Sequence, residues 1–228
     1  MTHAERLERA VACIYPDIRS RVASSQTTAS ETVLWKELSC CILSSQVKYS
    51  LAVAAAERLE QESLLSGPSK VCEIRLENAL RLPVMVEDRL QRYRFPQVKA
   101  RQLSATHRVV HTKARGLSAL LESFSDPEES RSWFVTHAAG VGPKQASMFL
   151  RNTGMSYDLA VLDRHVVDYM DEIGLSSKKT AELSSLSAYT RREHILRSYA
   201  AGLGMAVGLL DWAIWIVMRA FKEREIWA

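Results

Sequence analysis

The sequence predicts an all-α fold, and three observations predict it. Almost every long segment spaces its apolar residues at helical period. No convincing run alternates in the manner of a strand. Nine Gly and six Pro among 228 residues are too few for a chain of many tight turns. The length fits one or two domains. Hydrophobic residues make up 47% and charged residues 25%. That balance excludes disorder and collagen-like structure.

The elements follow in order. Leu7, Ala10, Val11 and Ile14 share one face of a first helix. Thr28 and Glu31 have the spacing of a capping box, so a second helix starts near Ser30 and buries Val33, Leu34, Leu38, Cys41 and Ile42. An Ala-rich helix covers Leu51 to Leu59, with breaks at Leu64 to Pro68 and at Leu82-Pro83. Asp126-Pro127-Glu128-Glu129 supplies an N-cap, a first-turn proline and first-turn acids. The expected total is roughly ten helices, with no internal repeat.

Charge and cysteine usage narrow the class. Thirty Lys and Arg against 26 Asp and Glu leave a net charge of +4, which selects no partner. Locally, Gln91 to Leu121 holds no acid but carries Arg92, Arg94, Lys99, Arg101, Arg108, Lys113 and Arg115. Such a stripe is either a solvated helix face or a phosphate-contacting surface. Cys13, Cys40, Cys41 and Cys72 form no C-x-x-C pair, so a reducing compartment, no disulfide framework and no metal site are expected. The first residues lack the apolar core of a signal peptide. Ser198 to Met218 carries Asp211 as its single charge. A mid-span carboxylate is costly in a bilayer, so this stretch reads as a buried helix and no membrane is expected. A cytoplasmic monomer is the expectation, nucleoid-associated in a prokaryote.

The informative segment runs from Trp133 to Leu150. An apolar helix runs up to Gly140, Gly140-Val141-Gly142-Pro143 turns, and a second helix opens. This is the pattern of a helix-hairpin-helix element, with Ala146 at the close-packing position. Two glycines let the backbone approach another molecule, and the unpaired amides at the new helix start face an anion such as a DNA phosphate. The competing reading is a plain connection between two core helices. Lys144 falls in the first turn, at the positive end of the macrodipole, which disfavours its protonated form. A neutral lysine is a nucleophile able to form a Schiff base; the alternative is a surface cation touching phosphate. Asp163 ends an apolar run before an amphipathic helix and is its natural N-cap. A carboxylate there can also stabilise positive charge developing on a sugar.

At these residues the chain resembles the helix-hairpin-helix DNA glycosylases, and most of all the compact archaeal-type 8-oxoguanine glycosylase/lyases. The resemblance rests on Leu43-Ser44-Ser45-Gln46, Tyr93-Arg94-Phe95 with Lys99-Ala100, Lys144-Gln145-Ala146-Ser147, Phe149-Leu150-Arg151-Asn152, Leu162-Asp163-Arg164-His165, and Leu210-Asp211 with Trp215. It implies two helical lobes with a DNA- and base-binding cleft. Residues 44–170 would form the central lobe, with the hairpin at about 127–151, and residues 1–43 with 171–228 the other. It implies a base flipped from duplex DNA, Lys144 attacking C1′, Asp163 aiding it, and β-elimination through the Schiff base. Gln46 would fill the space left by the flipped nucleotide. Gly140, Val141, Gly142 and His165 would contact DNA, with fixing local structure the alternative for His165. Phe95, Met148, Asp211 and Trp215 would line the base pocket, with core packing the alternative for Met148 and a domain-bridging role for Asp211. The hairpin carbonyls would hold an alkali cation. No cysteine follows Cys72, which excludes the iron–sulfur branch of the superfamily. The compact subfamily typically ends in a lysine that helps recognise oxidised guanine; this chain runs on through Phe221 to Ala228 with no terminal lysine. An oxidised purine, foremost 8-oxoguanine, is the expected substrate. Another modified or foreign base, or a non-catalytic DNA-binding module, are the alternatives.

Overall fold

The structure is a computed structural model, and it describes residues 1–24, 29–67, 71–176, 183 and 185–225, with side chains through Phe221. The chain divides into two compact units, Met1–Thr27 with Gly154–Ala228, and Thr28–Thr153.

The unit Thr28–Thr153 is built around α2 (Glu31–Leu43), whose residues Leu38 to Leu43 are all buried. A helix end buried on every side belongs inside a lobe, and each fully buried Leu or Ile there contributes about 1.5–3 kcal/mol. Around it pack α3 (Tyr49–Gln61), α5 (Pro96–Lys113), α6 (Leu117–Glu122) and α8 (Pro143–Asn152). The helix α4 (Glu73–Arg81) lies on α5, and α7 (Pro127–His137) on α8. The cap at Asp126 forms as expected: its carboxylate accepts Glu129 N–H at 2.8 Å, and Pro127 opens α7.

Several expectations are corrected in this unit. A two-stranded antiparallel hairpin, β1 (Val84–Val86) and β2 (Arg89–Gln91), interrupts the helices. Strands of three residues are too short to show alternation, and the left-handed pair Glu87 and Asp88 (φ 50° and 60°) makes the turn. Thr28 of the expected capping box lies outside the described residues. The observed N-cap is Ser30, which accepts Val33 N–H, while the Glu31 carboxylate turns to α6. Val33 is 44% exposed, because the first turn of α2 still meets solvent on that side. In the basic stripe six of the seven cations are exposed or at the rim, but Lys99 is buried. The unit also begins before α2 and ends after α8, not at 44 and 170. The reason is packing: α2 is the core of this unit, and α9 belongs to the other.

In the unit Met1–Thr27 with Gly154–Ala228, α1 (His3–Ser24) packs on α11 (Val207–Glu225), which also meets α9 (Arg164–Glu172) and α10 (Leu186–Gly202). Leu7, Val11, Tyr15 and Ile18 of α1 join Val166, Val167, Tyr169, Leu196, Leu210, Ile214 and Val217 in one core. The apolar stretch Ser198 to Met218 is not one helix. It breaks between α10 and α11, which meet at 95°. Among the described residues no single helix is long and apolar enough to cross a membrane.

Candidate active site

The helix-hairpin-helix element is formed by α7 and α8. Its inner face is tied by the buried Arg131, which donates to Ser147 Oγ at 3.3 Å, and by the edge-to-face pair Phe134–Phe149 with centroids 5.1 Å apart. Ala146 is fully buried at the crossing. The first helix ends at His137, earlier than Gly140, because Ala138 leaves helical geometry as C-cap. Val141 N–H then returns to Ala138 O at 3.2 Å.

The two glycines serve different needs. Gly140 is left-handed at φ +80°, and a Cβ there would run into the Gln102 amide of α5. Gly142 has an ordinary φ of −97° and is the N-cap of α8. Its N–H donates to Gln145 Oε1 at 3.3 Å. Pro143 has no N–H to lose, and the amides of Lys144 and Gln145 have no intrahelical acceptor by construction. Lys144 is the second residue of α8 and half-buried. The element therefore presents first-turn amides and a primary amine together at the positive end of a helix.

On the same unit, Gln46 stands exposed between α2 and α3 in the left-handed region, φ 63°. An L residue held there costs about 1–2 kcal/mol. Phe95 is half-buried at the N-cap of α5, with the Arg94 guanidinium 5.0 Å from its ring centroid. Met148, one turn after Lys144, is buried and packs as a core residue. Lys99 is buried in the first turns of α5, and burial lowers its pKa from the ordinary lysine value.

The other unit builds Asp163. The segment Leu159–Leu162 is buried and lies outside any helix or strand, so its backbone groups need partners. Glu193 accepts Ala160 N–H at 2.7 Å. Tyr189 Oη accepts Leu162 N–H and donates to Ala160 O, both at 2.8 Å. Asp211 accepts Val161 N–H. Held in this way, the chain delivers Asp163 as the N-cap of α9, its carboxylate accepting Val166 N–H at 3.0 Å. Asp211 is 0% exposed. It anchors this segment; burying a carboxylate requires partners, and the Val161 amide supplies one. Tyr189 and Glu193 were not legible as site supports, since their partners are backbone amides about thirty positions away. His165 is half-buried, with its ring edge-on to Trp215 at 6.4 Å. Trp215 is half-buried beneath the Arg219 guanidinium, 5.2 Å from its ring.

Lys144, Gln46, Gly140, Val141, Gly142, Phe95 and Met148 thus lie on one unit, and Asp163, His165, Asp211 and Trp215 on the other. Among the described residues no three His, Cys, Asp or Glu side chains gather as metal ligands.

Comparison with known proteins supplies the rest. A family model described as 8-oxoguanine DNA glycosylase matches residues 18–205. The 8-oxoguanine DNA glycosylase/AP lyase of Saccharolobus solfataricus is 30% identical over 207 residues, covering 88% of this chain and 92% of that protein. That of Sulfurisphaera tokodaii is 33% identical over 183 residues, covering 80% of each. The crystal structure of the 8-oxoguanine DNA glycosylase of Thermotoga maritima superposes with a TM-score of 0.70 at 29% identity, over 93% of both chains. The Methanocaldococcus jannaschii 8-oxoguanine glycosylase/lyase, solved with a 15mer DNA containing 8-oxoguanine, gives a TM-score of 0.74 at 23% identity over 94% of this chain and 96% of that one, a likeness of fold. The all-α helix-hairpin-helix architecture, the match across most of the chain and these relatives agree: the chain belongs to the 8-oxoguanine DNA glycosylase family.

Proposed function

We propose that this chain is a bifunctional DNA glycosylase and abasic-site lyase that removes 8-oxoguanine from duplex DNA. The observation that carries the reading is Lys144, a primary amine in the first turn of the second hairpin helix, in a chain of this family. The hairpin amides bind a phosphate, and the damaged nucleotide leaves the base stack. Lys144 attacks C1′, the base departs, and the resulting Schiff base permits β-elimination on the 3′ side. Asp163 keeps a carboxylate available to the positive charge that develops on the sugar. Gln46, already held in a costly left-handed conformation, occupies the space that the nucleotide vacates. Phe95 and Trp215 supply aromatic surface for the base, and His165 touches the backbone. An alkali cation fits the hairpin turn, where Gln102 Oε1 is buried against Gly140 without a partner among the described residues. Gln102 and the turn carbonyls would hold it, and it would add positive charge facing a phosphate. The enzyme works as a monomer in the cytoplasm, at the nucleoid in a prokaryote.

Borohydride reduction in the presence of an 8-oxoguanine duplex tests this. A covalent protein–DNA adduct forms with the wild type and is absent in Lys144→Gln. Asp163→Asn binds the duplex and turns over slower by on the order of 10²–10³-fold. Retention of DNA binding with no adduct on any lesion would reduce the chain to a binding module. Mass analysis of the base released from a lesion panel fixes the substrate.

A further inference from the structure

The β1–β2 hairpin is firmly built, yet it shows apolar side chains to water. Its entry is tied to α3, where Arg58 donates to Pro83 O at 2.9 Å. Its exit is tied to α2, where Tyr93 Oη donates to Leu43 O at 2.6 Å. Val84 and Val86 are buried beneath it. On the outer face Met85 pairs with Leu90, and they are 59% and 70% exposed. Leu82, just before β1, is 52% exposed. A mobile loop could fold such side chains away; a ladder anchored at both ends keeps them out.

The surroundings identify the occupant. Arg89, Arg92 and Arg94 are exposed on or beside β2, and no acid occurs from Gln91 to Leu121. The hairpin's two acids, Glu87 and Asp88, are confined to the turn, beyond the pair Val86–Arg89 that follows Met85–Leu90. Tyr93 ties the exit of β2 to the residue three before Gln46. An apolar pair with flanking arginines is the composition that packs into a DNA minor groove, guanidiniums on phosphates and aliphatic groups against sugars and base edges. We propose that the outer face of this hairpin is a second DNA-contacting element, in which Met85 and Leu90 pack against duplex flanking the lesion while Arg92, two residues after Leu90, pairs with its phosphates. The proposal rests on the glycosylase reading above and adds a contact outside the helix-hairpin-helix element.

The test measures Kd for a duplex containing a stable abasic analogue, with the full chain. Met85→Ser/Leu90→Ser raises Kd roughly tenfold. Because the lost contact is apolar, the ratio to wild type is the same at 50 mM and 200 mM salt, conditions chosen for the steep ionic term of DNA binding. Arg92→Gln weakens binding and lowers the salt slope by about one. Ile74→Ser, an exposed apolar residue of α4 outside the patch, leaves Kd unchanged. All four sites are exposed, so thermal melts report intact folds. An unaltered Kd in the double serine variant would overturn the proposal and leave a protein partner as the occupant of that face. Borohydride adduct formation by the wild type is read separately: its loss refutes the glycosylase reading, whereas its presence with an unaltered double-variant Kd refutes only the hairpin contact.

Discussion

The Asp211 carboxylate accepts the backbone N–H of Val161, two residues before Asp163, although the two are fifty positions apart in sequence. An acid on α11 thereby sets the backbone that presents the acid on α9. Asp211→Ala strands a buried amide and should cost about 2–3 kcal/mol, seen as a lower Tm. Asp211→Asn retains an acceptor oxygen and should cost less. Excision by the alanine variant should fall at temperatures where it is still folded, because Asp163 loses its support.

Glu31 plays the same part for α6. Its carboxylate accepts Leu117 N–H at 2.7 Å, Ser118 N–H at 2.9 Å and Trp35 Nε1–H at 2.9 Å. Glu31→Ala removes these three and the bond from Ser118 Oγ at 3.0 Å, and should destabilise the protein by about 2–3 kcal/mol in denaturant titration. Glu31→Gln should recover part of that.

Acid should destabilise the fold in two stages. His107 is buried against Trp35 and His111, with ring centroids 4.9 Å and 4.3 Å away, and Nε2 lies 3.0 Å from Gly67 O. Burial first, and the neighbouring His111 second, lower its pKa from the ordinary 6.5, while Gly67 and Glu31 oppose the shift. A depressed histidine stabilises the fold above its ordinary pKa, and that contribution is lost as pH falls through the lower folded value. For Glu31 burial pushes the carboxyl up, but the bonds from Ser118 and Leu117 outweigh it, and its pKa lies below the ordinary 4.5. Its contribution is present above that value and is lost on further acidification. Melts from pH 7 downward should show Tm falling first below about pH 6.5. His107→Gln should flatten that first stage and leave the second.

The four cysteines should split into two classes. Cys13 and Cys72 are exposed, while Cys40 and Cys41 are buried in α2. Burial, and then Glu37, push Cys40 up to about 12, and Cys41 is raised by the same causes. Since the thiolate is the reactive form, a thiol-specific chromogenic reagent should modify two groups in the native protein and four in denaturant.

Gly140 and Gly142 should differ in tolerance. Gly140→Ala forces a left-handed L residue and displaces Gln102, for a cost of about 1–2 kcal/mol in stability. Gly142→Ala keeps an allowed backbone, so its Tm should stay near wild type. Its added methyl meets Gln145 Oε1 at 3.1 Å and shifts that cap beside the first-turn amides proposed to hold a phosphate, so DNA affinity is the quantity that should fall.

The chain's own order of residues determined a good deal. Apolar spacing fixed most helices, because burying one face is a local requirement repeated every turn. Asp126 and Asp163 were legible as caps, since a capping side chain reaches amides only two or three residues away. The hairpin and its lysine were legible for the same reason: glycine, proline and first-turn chemistry are written in consecutive positions. The β hairpin escaped notice because three-residue strands carry no period. Other roles depended on partners far along the chain. Asp211 was isolated in sequence and became an anchor only when Val161 was brought to it; Glu31 suggested a local box and instead caps a helix eighty-six residues on. The exposed pair Met85–Leu90 exists only as a cross-strand register. Short-range hydrogen bonding and periodicity are properties of sequence, whereas the satisfaction of a buried polar group is decided by whichever segment the packed core carries past it.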